Sequence, residues 1–421
     1  MKDEKNSFIF HPSSLCLMFN ESWLRISIVM ILLGAVMQSN GLIVLATLLL
    51  TIIPIAWAWN RVALWRVSYE RRLNEHRVFV GESVDLSVRV SNRKILPLVW
   101  IKIDDRFPAL LPINKPLAPS HIPRTAFLVQ RAALGAFERA RWTYRINCEQ
   151  RGFYILGPAR LRSGDLFGLF EHELESPRTD RLIVYPRVLP MEDWGLPPKE
   201  PLGEVKARVP LFDDATRPRG VRDYRPDDAP KHIHWRATAR RGELQVKVYD
   251  PTITYQWVLF LNVATFPHTW QGSDPALLER TISFAASLAN FATARKYAVG
   301  LIANGTWPES DQRLKILPSR DPNHLRHILE ALAAITAFIT TPIETLLRQE
   351  SANLSWGATL VMITSIVTEE ILAEMLRLRR AGRRLALISL DEAWMPEESE
   401  LQGIVVRQVR REERGAGREA E

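Results

Sequence analysis

The pattern of apolar residues divides the chain into three parts. Two nearly uninterrupted apolar runs come first, at residues 24–37 and 41–59. A middle part, residues 68–190, alternates apolar and polar positions over short segments. The last third instead alternates short apolar runs with longer amphipathic stretches. The three patterns predict membrane helices, a β-rich domain and an α/β domain, in that order.

The two N-terminal apolar runs predict a membrane hairpin. A spanning helix needs about 20 mostly apolar residues, and GLIVLATLLLTIIPIAWAW (41–59) meets this. The first run is shorter and carries Arg25, which lies at its end and can reach the headgroups. Few residues separate the runs, so we predict spans at about 24–39 and 41–59 within a membrane segment 1–67.

Basic residues flank this segment on both sides, whereas the connecting turn has no charge. They are Lys2, Lys5, Arg25, Arg61, Arg66, Arg71 and Arg72. Because basic residues favour the cytoplasmic side, we predict a cell-membrane protein with two spans and both termini in the cytoplasm. A signal peptide fits less well, since the apolar stretch is double and no small-residue cleavage site follows cleanly.

The middle part predicts a β-sandwich-like domain. In VFVGESVDLSVRVSN the apolar residues Val84, Leu86, Val88 and Val90 alternate with polar ones, which is typical of a half-buried strand. Several such segments recur about ten residues apart with turn signals between them. Five prolines between residues 191 and 219 then predict a linker.

The last third predicts a doubly wound, mostly parallel sheet at residues 251–410, followed by a charged tail, 411–421. Apolar runs such as YQWVLFLNVA and GATLVMITS indicate strands covered on both faces. Asp274 before Pro275 predicts one helix start, and Thr368 another, with Gly382 as a C-terminal cap.

The strand ends of this sheet offer little chemistry. Ligands of such sheets bind beyond the carboxyl ends of the strands, where this sequence has Asn262, Thr265 and Ser365. Their side-chain oxygens are neutral candidates for ligands, whereas a hard divalent cation prefers carboxylates, so a metal site is disfavoured here. A glycine-rich fingerprint is missing from the first turn, so no cofactor is predicted.

The densest cluster of reactive residues is GVRDYRPDDAPKHIHWRATARRG, residues 220–242. One interpretation is a metal-dependent enzyme using Asp228, His232 and His234. Asp228 is a good N-cap for a helix ending at Gly242, and on that helix the two histidines point about 200° apart. A second interpretation is acid–base or nucleophilic chemistry, for which Thr238 and Tyr224 are the only hydroxyls.

The third interpretation is a structural or interface-forming clamp, and it is favoured. Arg222, Arg225, Arg236 and Arg240 have Asp223, Asp227 and Asp228 as local partners for bidentate pairing. Trp235 and Tyr224 would supply buried area. Residues 243–249 alternate as a strand with Leu244, Val246 and Val248 on one face.

Overall charge adds a preference about partners. Lysine and arginine total 55 against 47 acidic residues, giving a net charge of +8. This suits a basic face beside the membrane, and no nucleic-acid partner is predicted because no aromatic–basic groove motif supports one. The two cysteines, Cys16 and Cys148, favour a reducing compartment over a disulfide framework.

The 220–250 block resembles the Domain of Unknown Function 58 family, whose pattern is roughly G-x-R-x-Y-x-x-G-D-x-x-x-x-I-x-W-x-x-[ST]-A-R-x-G-x-L-x-V. The matching positions are Gly220, Arg222, Tyr224, Asp228, Ile233, Trp235, Thr238, Ala239, Arg240, Gly242, Leu244 and Val246. Asp227 departs, because it stands where the family usually has glycine. We expect an interface made of Gly220, Arg222, Tyr224, Asp228, His234, Trp235, Arg240 and Gly242.

The resemblance implies a membrane hairpin, a β-rich domain with a motif like GPARLRSGDLFGLF, and a von Willebrand factor A-like C-terminal domain. The metal site of that fold uses Asp-x-Ser-x-Ser, where this chain has Asn262, Ala264 and Phe266. Metal binding is therefore not carried over. The resemblance also implies a MoxR-type AAA+ ATPase partner and a non-enzymatic accessory role in protein maturation or envelope-related processes.

Overall fold

The structure is a computed structural model that describes residues 22–197, 201–202, 213–225, 228, 230, 233–251, 255–307, 310–395 and 403–409. The chain divides into two compact units, Met1–Ile183 and Val184–Glu421. The first unit contains two apolar helices and a set of β-strands. The second contains a two-stranded sheet with a short helix and a six-stranded sheet covered by helices. The protein is thus multidomain with a mixed helix and sheet content, as the sequence predicts.

Two apolar helices begin the first unit, α1 (Ser22–Val36) and α2 (Asn40–Ala63). They pack closely where Gly34 faces Ile43, since a β-carbon on that glycine would lie 2.9 Å from the Ile43 side chain. Of the described helices, only α2 is long and apolar enough to cross a membrane. At about 1.5 Å per residue, α1 is shorter than the roughly 30 Å hydrocarbon core. Two spans are therefore not supported, which corrects the prediction.

The rest of the first unit is built from strands that form three sheets, and the pairings in the first two are antiparallel. Their orders are β1-β3-β7, β10-β9-β4-β6-β5 and β2-β11-β8. The strands are β1 (Val67–Leu73), β2 (Arg77–Phe79), β3 (Ser83–Asn92), β4 (Leu98–Pro108), β5 (Ala118–Pro119), β6 (Thr125–Leu134), β7 (Arg139–Asn147), β8 (Gly152–Leu156), β9 (Ala159–Gly164), β10 (Glu171–Ser176) and β11 (Asp180–Tyr185). The β-rich middle part is confirmed.

The alternation read from the sequence of β3 matches its burial. Val84, Leu86, Val88 and Val90 are all fully buried. Leu64, just beyond α2, belongs to the same apolar core. The end of α2 is thereby anchored in the β-rich region of its unit.

A buried charged cluster crosses the core of this region. Nη1 of Arg71 donates to Oδ1 of Asp105 at 2.5 Å, and its Nε donates to Asp180 at 2.9 Å. Tyr69 donates its hydroxyl to the other Asp105 oxygen at 2.6 Å. Nη2 of Arg71 donates to the Leu156 carbonyl at 2.8 Å, so the guanidinium joins β1, β4, β8 and β11.

Cys148 is a free, buried cysteine that follows β7. Burial, helped by the negative charge of Glu82, raises the pKa of its thiol to about 11. At pH 8 this lowers the thiolate fraction about 100-fold relative to an ordinary cysteine.

We therefore expect Cys148 to be nearly unreactive in the folded protein. In a Cys16→Ser background, a maleimide probe at pH 8 should label the chain only after denaturant is added. Rapid labelling of the native chain, at the rate seen in urea, would contradict the buried position of Cys148.

The second unit contains a six-stranded sheet of order β16-β15-β14-β17-β18-β19. Five of its strands run parallel and β16 is antiparallel at one edge. The strands are β14 (Gln256–Leu261), β15 (Ala298–Trp307), β16 (Ser310–Ser319), β17 (Thr359–Thr364), β18 (Arg384–Ser389) and β19 (Val405–Gln408). Strand β16 was not predicted from the sequence.

Four helices cover this sheet: α4 (Pro275–Ala294), α5 (His324–Ala334), α6 (Ile343–Ser351) and α7 (Glu369–Arg380). Helices α4 and α5 pack together, whereas α6 and α7 share an apolar core with Val258, Phe260 and their neighbours. The predicted caps are present, since Asp274 accepts from Ala276 N and Thr368 from Ile371 N.

The remaining elements of the second unit are β12 (Asp213–Asp223), the short helix α3 (Trp235–Arg241) and β13 (Gln245–Pro251). Strands β12 and β13 pair antiparallel, with Gly220 opposite Val248. The last residues of the predicted linker, 191–219, thus lie in a strand. The structure also contains a 3-10 turn at Met191–Trp194, and Trp194 packs edge-on against Phe284 of α4 at 5.2 Å.

Candidate functional site

A bidentate ion pair holds the block that follows β12. Nη1 and Nη2 of Arg222 donate to the two carboxylate oxygens of Asp228 at 2.7 and 2.5 Å. The backbone N–H of Arg225 also donates to Asp228, at 2.8 Å. These donors, Arg222 first, hold the pKa of Asp228 below its usual value. The predicted arginine–aspartate clamp is therefore present at this pair.

Asp228 does not cap a helix, contrary to the sequence interpretation. Helix α3 begins only at Trp235, and its N-cap is His234, whose Nδ1 accepts from Ala237 N at 3.0 Å. The aspartate is instead used in a turn, because Arg222 and Arg225 N occupy both of its oxygens. The predicted stop at Gly242 is correct, since this glycine has φ +78° and donates to the Thr238 carbonyl.

Gln245 is a buried hub that sequence reasoning missed. Its Nε2 donates to Asp223 at 2.6 Å, and its backbone N–H donates to Oγ1 of Thr238 at 3.0 Å. Its carbonyl accepts from His234 N at 2.7 Å, which ties the start of α3 to β13. The expected apolar face of β13 is wrong at Leu244, which is 44% exposed, whereas Gln245 is fully buried. The fold tolerates this buried polar side chain because both ends of its amide are hydrogen-bonded: Oε1 accepts from Arg241, and Nε2 donates to Asp223.

Helix α3 presents exposed aromatic and basic side chains that together span about 140° of its surface. Trp235 is 69% exposed, which contradicts the expectation that it supplies buried area. Arg236 and Arg240 are also exposed, and they lie one helical turn apart on the same side. Tyr224 is half-buried and donates its backbone N–H to Leu244 O at 2.9 Å. We call Trp235, Arg236 and Arg240 the α3 face.

The metal interpretation of this block gains no support from the geometry. Asp228 is occupied by Arg222, and Nδ1 of His234 accepts a backbone N–H. His232 and Asp227, which the sequence also offers as candidates, lie outside the described residues. Among the residues that the structure describes, no group of three or more His, Cys, Asp or Glu side chains could hold a metal ion.

The strand ends of the six-stranded sheet carry a closed hydrogen-bond network centred on Asn262. Its Oδ1 accepts from Asn304 Nδ2 at 2.8 Å and from Ala264 N at 3.1 Å. Its Nδ2 donates to Oγ1 of Thr364 at 3.0 Å. Thr364 in turn donates to the Ile366 carbonyl at 2.5 Å. Asn262 and Ala264 follow β14, Asn304 lies in the second half of β15, and Thr364 is the last residue of β17.

This network does not fit a divalent cation. The Asn262 amide presents an N–H donor towards Thr364, and its oxygen already accepts two hydrogen bonds. Ser365 donates to the Ala264 carbonyl at 2.8 Å, and Thr265 accepts from Asp274 N at 2.8 Å. The neutral oxygens named from the sequence therefore hold loops together. The sequence analysis did not name Asn304 as part of this site. Its position late in a buried apolar strand is the sequence signal that could have identified it.

Comparison with known proteins finds a family match that includes this block. Residues 220–413 match the family described as "Protein of unknown function DUF58". The chain is also 23% identical, over 343 residues, to the uncharacterized protein YeaD of Bacillus subtilis (strain 168). That alignment covers 80% of this chain and 79% of the relative.

Two solved structures that resemble a part of the chain each cover 28% of it. The CARDB domain of the PF1109 protein from Pyrococcus furiosus, solved with di-metal ions, is 18% identical with a TM-score of 0.19 and covers 28% of this chain and 86% of its own. A cohesin module from a family 33 glycoside hydrolase of Clostridium perfringens is 15% identical with a TM-score of 0.21, covering 28% and 96%. At these scores the likenesses support no functional argument.

Proposed function

We propose that the protein is a membrane-anchored, cytoplasm-facing interaction protein without enzymatic activity of its own. The observation that carries the proposal is the α3 face, where an exposed tryptophan stands beside two exposed arginines on a braced helix. Tryptophan and arginine are the residues most enriched at energetically dominant positions of protein interfaces. The Arg222–Asp228 pair and Gln245 hold the surrounding block in one shape, which reduces the entropy lost on binding.

The membrane anchor in this proposal is α2. It is apolar over a full membrane width, and Arg61 lies in its last turn, where a basic residue favours the cytoplasmic side. Helix α1 packs along α2 and enters the bilayer with it. The parts of the chain that follow α2 are then cytoplasmic.

The six-stranded sheet is, in this proposal, a von Willebrand factor A-like domain that has lost its metal site. Asn262, Ala264 and Phe266 stand where that fold places its metal-binding residues, and the Asn262 network fills the space internally. Such a domain supplies loops and helices for protein contacts rather than a coordinated ion.

The proposed partner is a MoxR-type AAA+ ATPase, in line with the family resemblance and with a role in protein maturation or envelope-related processes. The chemistry of the α3 face requires an acidic surface with a pocket for one indole. The arginines of the α3 face would steer an acidic partner towards it, so the affinity should fall as the salt concentration rises.

Replacing Trp235 with alanine is expected to weaken binding of this ATPase about 30-fold or more, as for a dominant interface tryptophan. The full chain, reconstituted in lipid nanodiscs, would be immobilised, and the dissociation constant of the purified ATPase measured with ATP, with ADP and without nucleotide. Arg240→Glu should weaken binding as well and flatten its salt dependence.

The matched control is Trp270→Ala, because Trp270 is 81% exposed in the same unit but lies outside residues 220–250, which contain α3. It should bind the ATPase as the wild type does. Equal affinities for Trp235→Ala and wild type would rule out the α3 face. Absence of wild-type binding under all three nucleotide conditions would reject the ATPase as partner.

A further inference from the structure

Several loops of the β-rich region lie close to the C-terminal end of α2. Strand β4 pairs with β6 from Leu98 opposite Leu134 at one end to Pro108 opposite Thr125 at the other. The loop before Leu98 contacts the end of α2, because Nζ of Lys94 donates to the carbonyls of Ala63 and, at 3.2 Å, Trp65. The Leu98–Leu134 end of the sheet is therefore the end next to α2.

The β9–β10 loop lies at this same end. Ser163 of β9 pairs with Ile101, near the beginning of β4, so the loop that follows β9 extends past Leu98. Helix α2 also contacts both β9 and β10. The β6–β7 loop joins them, since the backbone N–H of Phe137 donates to the Lys94 carbonyl at 3.2 Å.

These loops carry large apolar side chains exposed at their tips. Ile95 is 78% exposed and Phe137 63% exposed. In the β9–β10 loop three of the five residues between Leu166 and Phe170 are exposed and apolar. Trp65, just after α2, is exposed as well. We name the set the apolar rim: Trp65, Ile95, Phe137, Leu166, Phe167 and Leu169.

The β9–β10 loop is built to hold this outward conformation. Asp165 is buried, and its two oxygens accept from Phe167 N at 2.8 Å and Phe170 N at 2.7 Å. Gly164 passes so close to Phe170 that a β-carbon would lie 2.3 Å from its carbonyl oxygen. The apolar tip is thus a preorganised feature and not a frayed turn, which gives GDLFGLF a role that the other sites leave unexplained.

Basic residues surround the apolar rim. Among the described residues, Arg61, Arg66, Arg93 and Arg139 are exposed at this end, against two exposed acids, Glu138 and Glu171. The guanidinium of Arg66 lies 4.5 Å from the centre of the Trp65 ring. Apolar and aromatic tips with a basic surround match the acyl boundary and the anionic headgroups of a bilayer.

We propose that the apolar rim inserts into the cytoplasmic interface of the membrane and fixes the β-rich region against the bilayer. The occupant is lipid, because α2 enters the bilayer at this same end and places the rim at the headgroup level. The inference rests on the proposed membrane anchor. It adds a second contact, made by loops, to the one made by the helix.

Depth-dependent quenching in proteoliposomes tests the inference on the full chain. Single cysteines carrying a nitrobenzoxadiazole probe would replace Phe167 or Ile95 in a Cys16→Ser background that keeps the buried Cys148. Lipids with a doxyl spin label near the headgroup quench only probes that lie about 5–10 Å into the interface. Leu48, exposed in the middle of α2, gives the anchor probe, and Leu110, 51% exposed beyond the Pro108 end, gives the matched control.

Strong quenching at Phe167 and Ile95, with no quenching at Leu110, is the expected result. Quenching of the Leu48 probe by deeper doxyl lipids, with the rim probes unquenched, would overturn the inference and leave the anchor intact. A Leu48 probe in water would reject the anchor and the rim together. Equal quenching at Phe167 and Leu110 would also overturn the inference, because adsorption would then have no preferred end.

Discussion

Replacing Asp105 with alanine is expected to lower the free energy of unfolding of the first unit by about 3–5 kcal/mol. Arg71 would remain, with 1% of its side chain exposed, and its guanidinium would lose the carboxylate that lies 2.5 Å from Nη1. Asp180, 2.9 Å from Nε, would be its remaining acidic partner. A buried charge without full compensation is among the most destabilising single changes.

Tyr69 adds to this effect. Its hydroxyl donates to Asp105 at 2.6 Å, and burial together with the negative charge of Asp105 raises the pKa of Tyr69 well above its usual value. The hydroxyl therefore stays protonated and loses its acceptor in Asp105→Ala. Tyr69→Phe should cost less, about 1–2 kcal/mol, because it removes the donor and leaves the ion pair in place.

Labelling of Cys148 provides the measurement for the first unit. In a Cys16→Ser background, the urea concentration at which Cys148 becomes reactive reports unfolding of the region that buries it. Asp85→Ala is the matched control, because Asp85 pairs with Arg145 at 3.3 Å while both side chains are about half exposed. This control should shift stability by less than about 1 kcal/mol. An Asp105→Ala shift no larger than that of Asp85→Ala would contradict the assigned role of the cluster.

Local patterns predicted the elements whose signals are themselves local. The alternation from Val84 to Val90 gave a strand, because every second side chain of a strand enters the core. Asp274 before Pro275 gave a helix start, because the cap satisfies N–H groups of the same turn. Neither inference needs a partner that is distant in the sequence.

Local signals gave wrong or no predictions where a side chain elsewhere in the chain takes the hydrogen bond or ion pair. Asp228 is followed by proline two residues on, yet Arg222 takes its carboxylate and the helix begins at Trp235 instead. The Arg71–Asp105 pair is 34 residues apart, and no periodicity connects its members. Gln245 occupies a position that alternation assigns to solvent, because only the folded block supplies partners for its amide.

Replacing Asn262 with aspartate is expected to destabilise the second unit by about 3 kcal/mol, with no compensation by Mg²⁺ or Mn²⁺. The new carboxylate keeps the acceptor for Asn304 Nδ2 and Ala264 N. Its second oxygen, however, replaces the donor that faces Thr364 Oγ1 at 3.0 Å. Because that hydroxyl already donates to the Ile366 carbonyl, two acceptors would face each other beside a charge that is 2% exposed.

Hydrogen exchange of the β14 and β17 amides as a function of urea measures this change in the full chain. Asn353→Asp is the matched control, since Asn353 is an exposed asparagine of the same unit, and its effect should stay within about 0.5 kcal/mol. The alternative is that the Asn262 network is a degenerate metal site, to which a single added carboxylate would restore cation binding. Asn262→Asp would then be stabilised by millimolar Mg²⁺ in proportion to the logarithm of its concentration. Such stabilisation, missing from wild type and from Asn353→Asp, would show that the Asn262 network is a suppressed metal site and not a closed structural one.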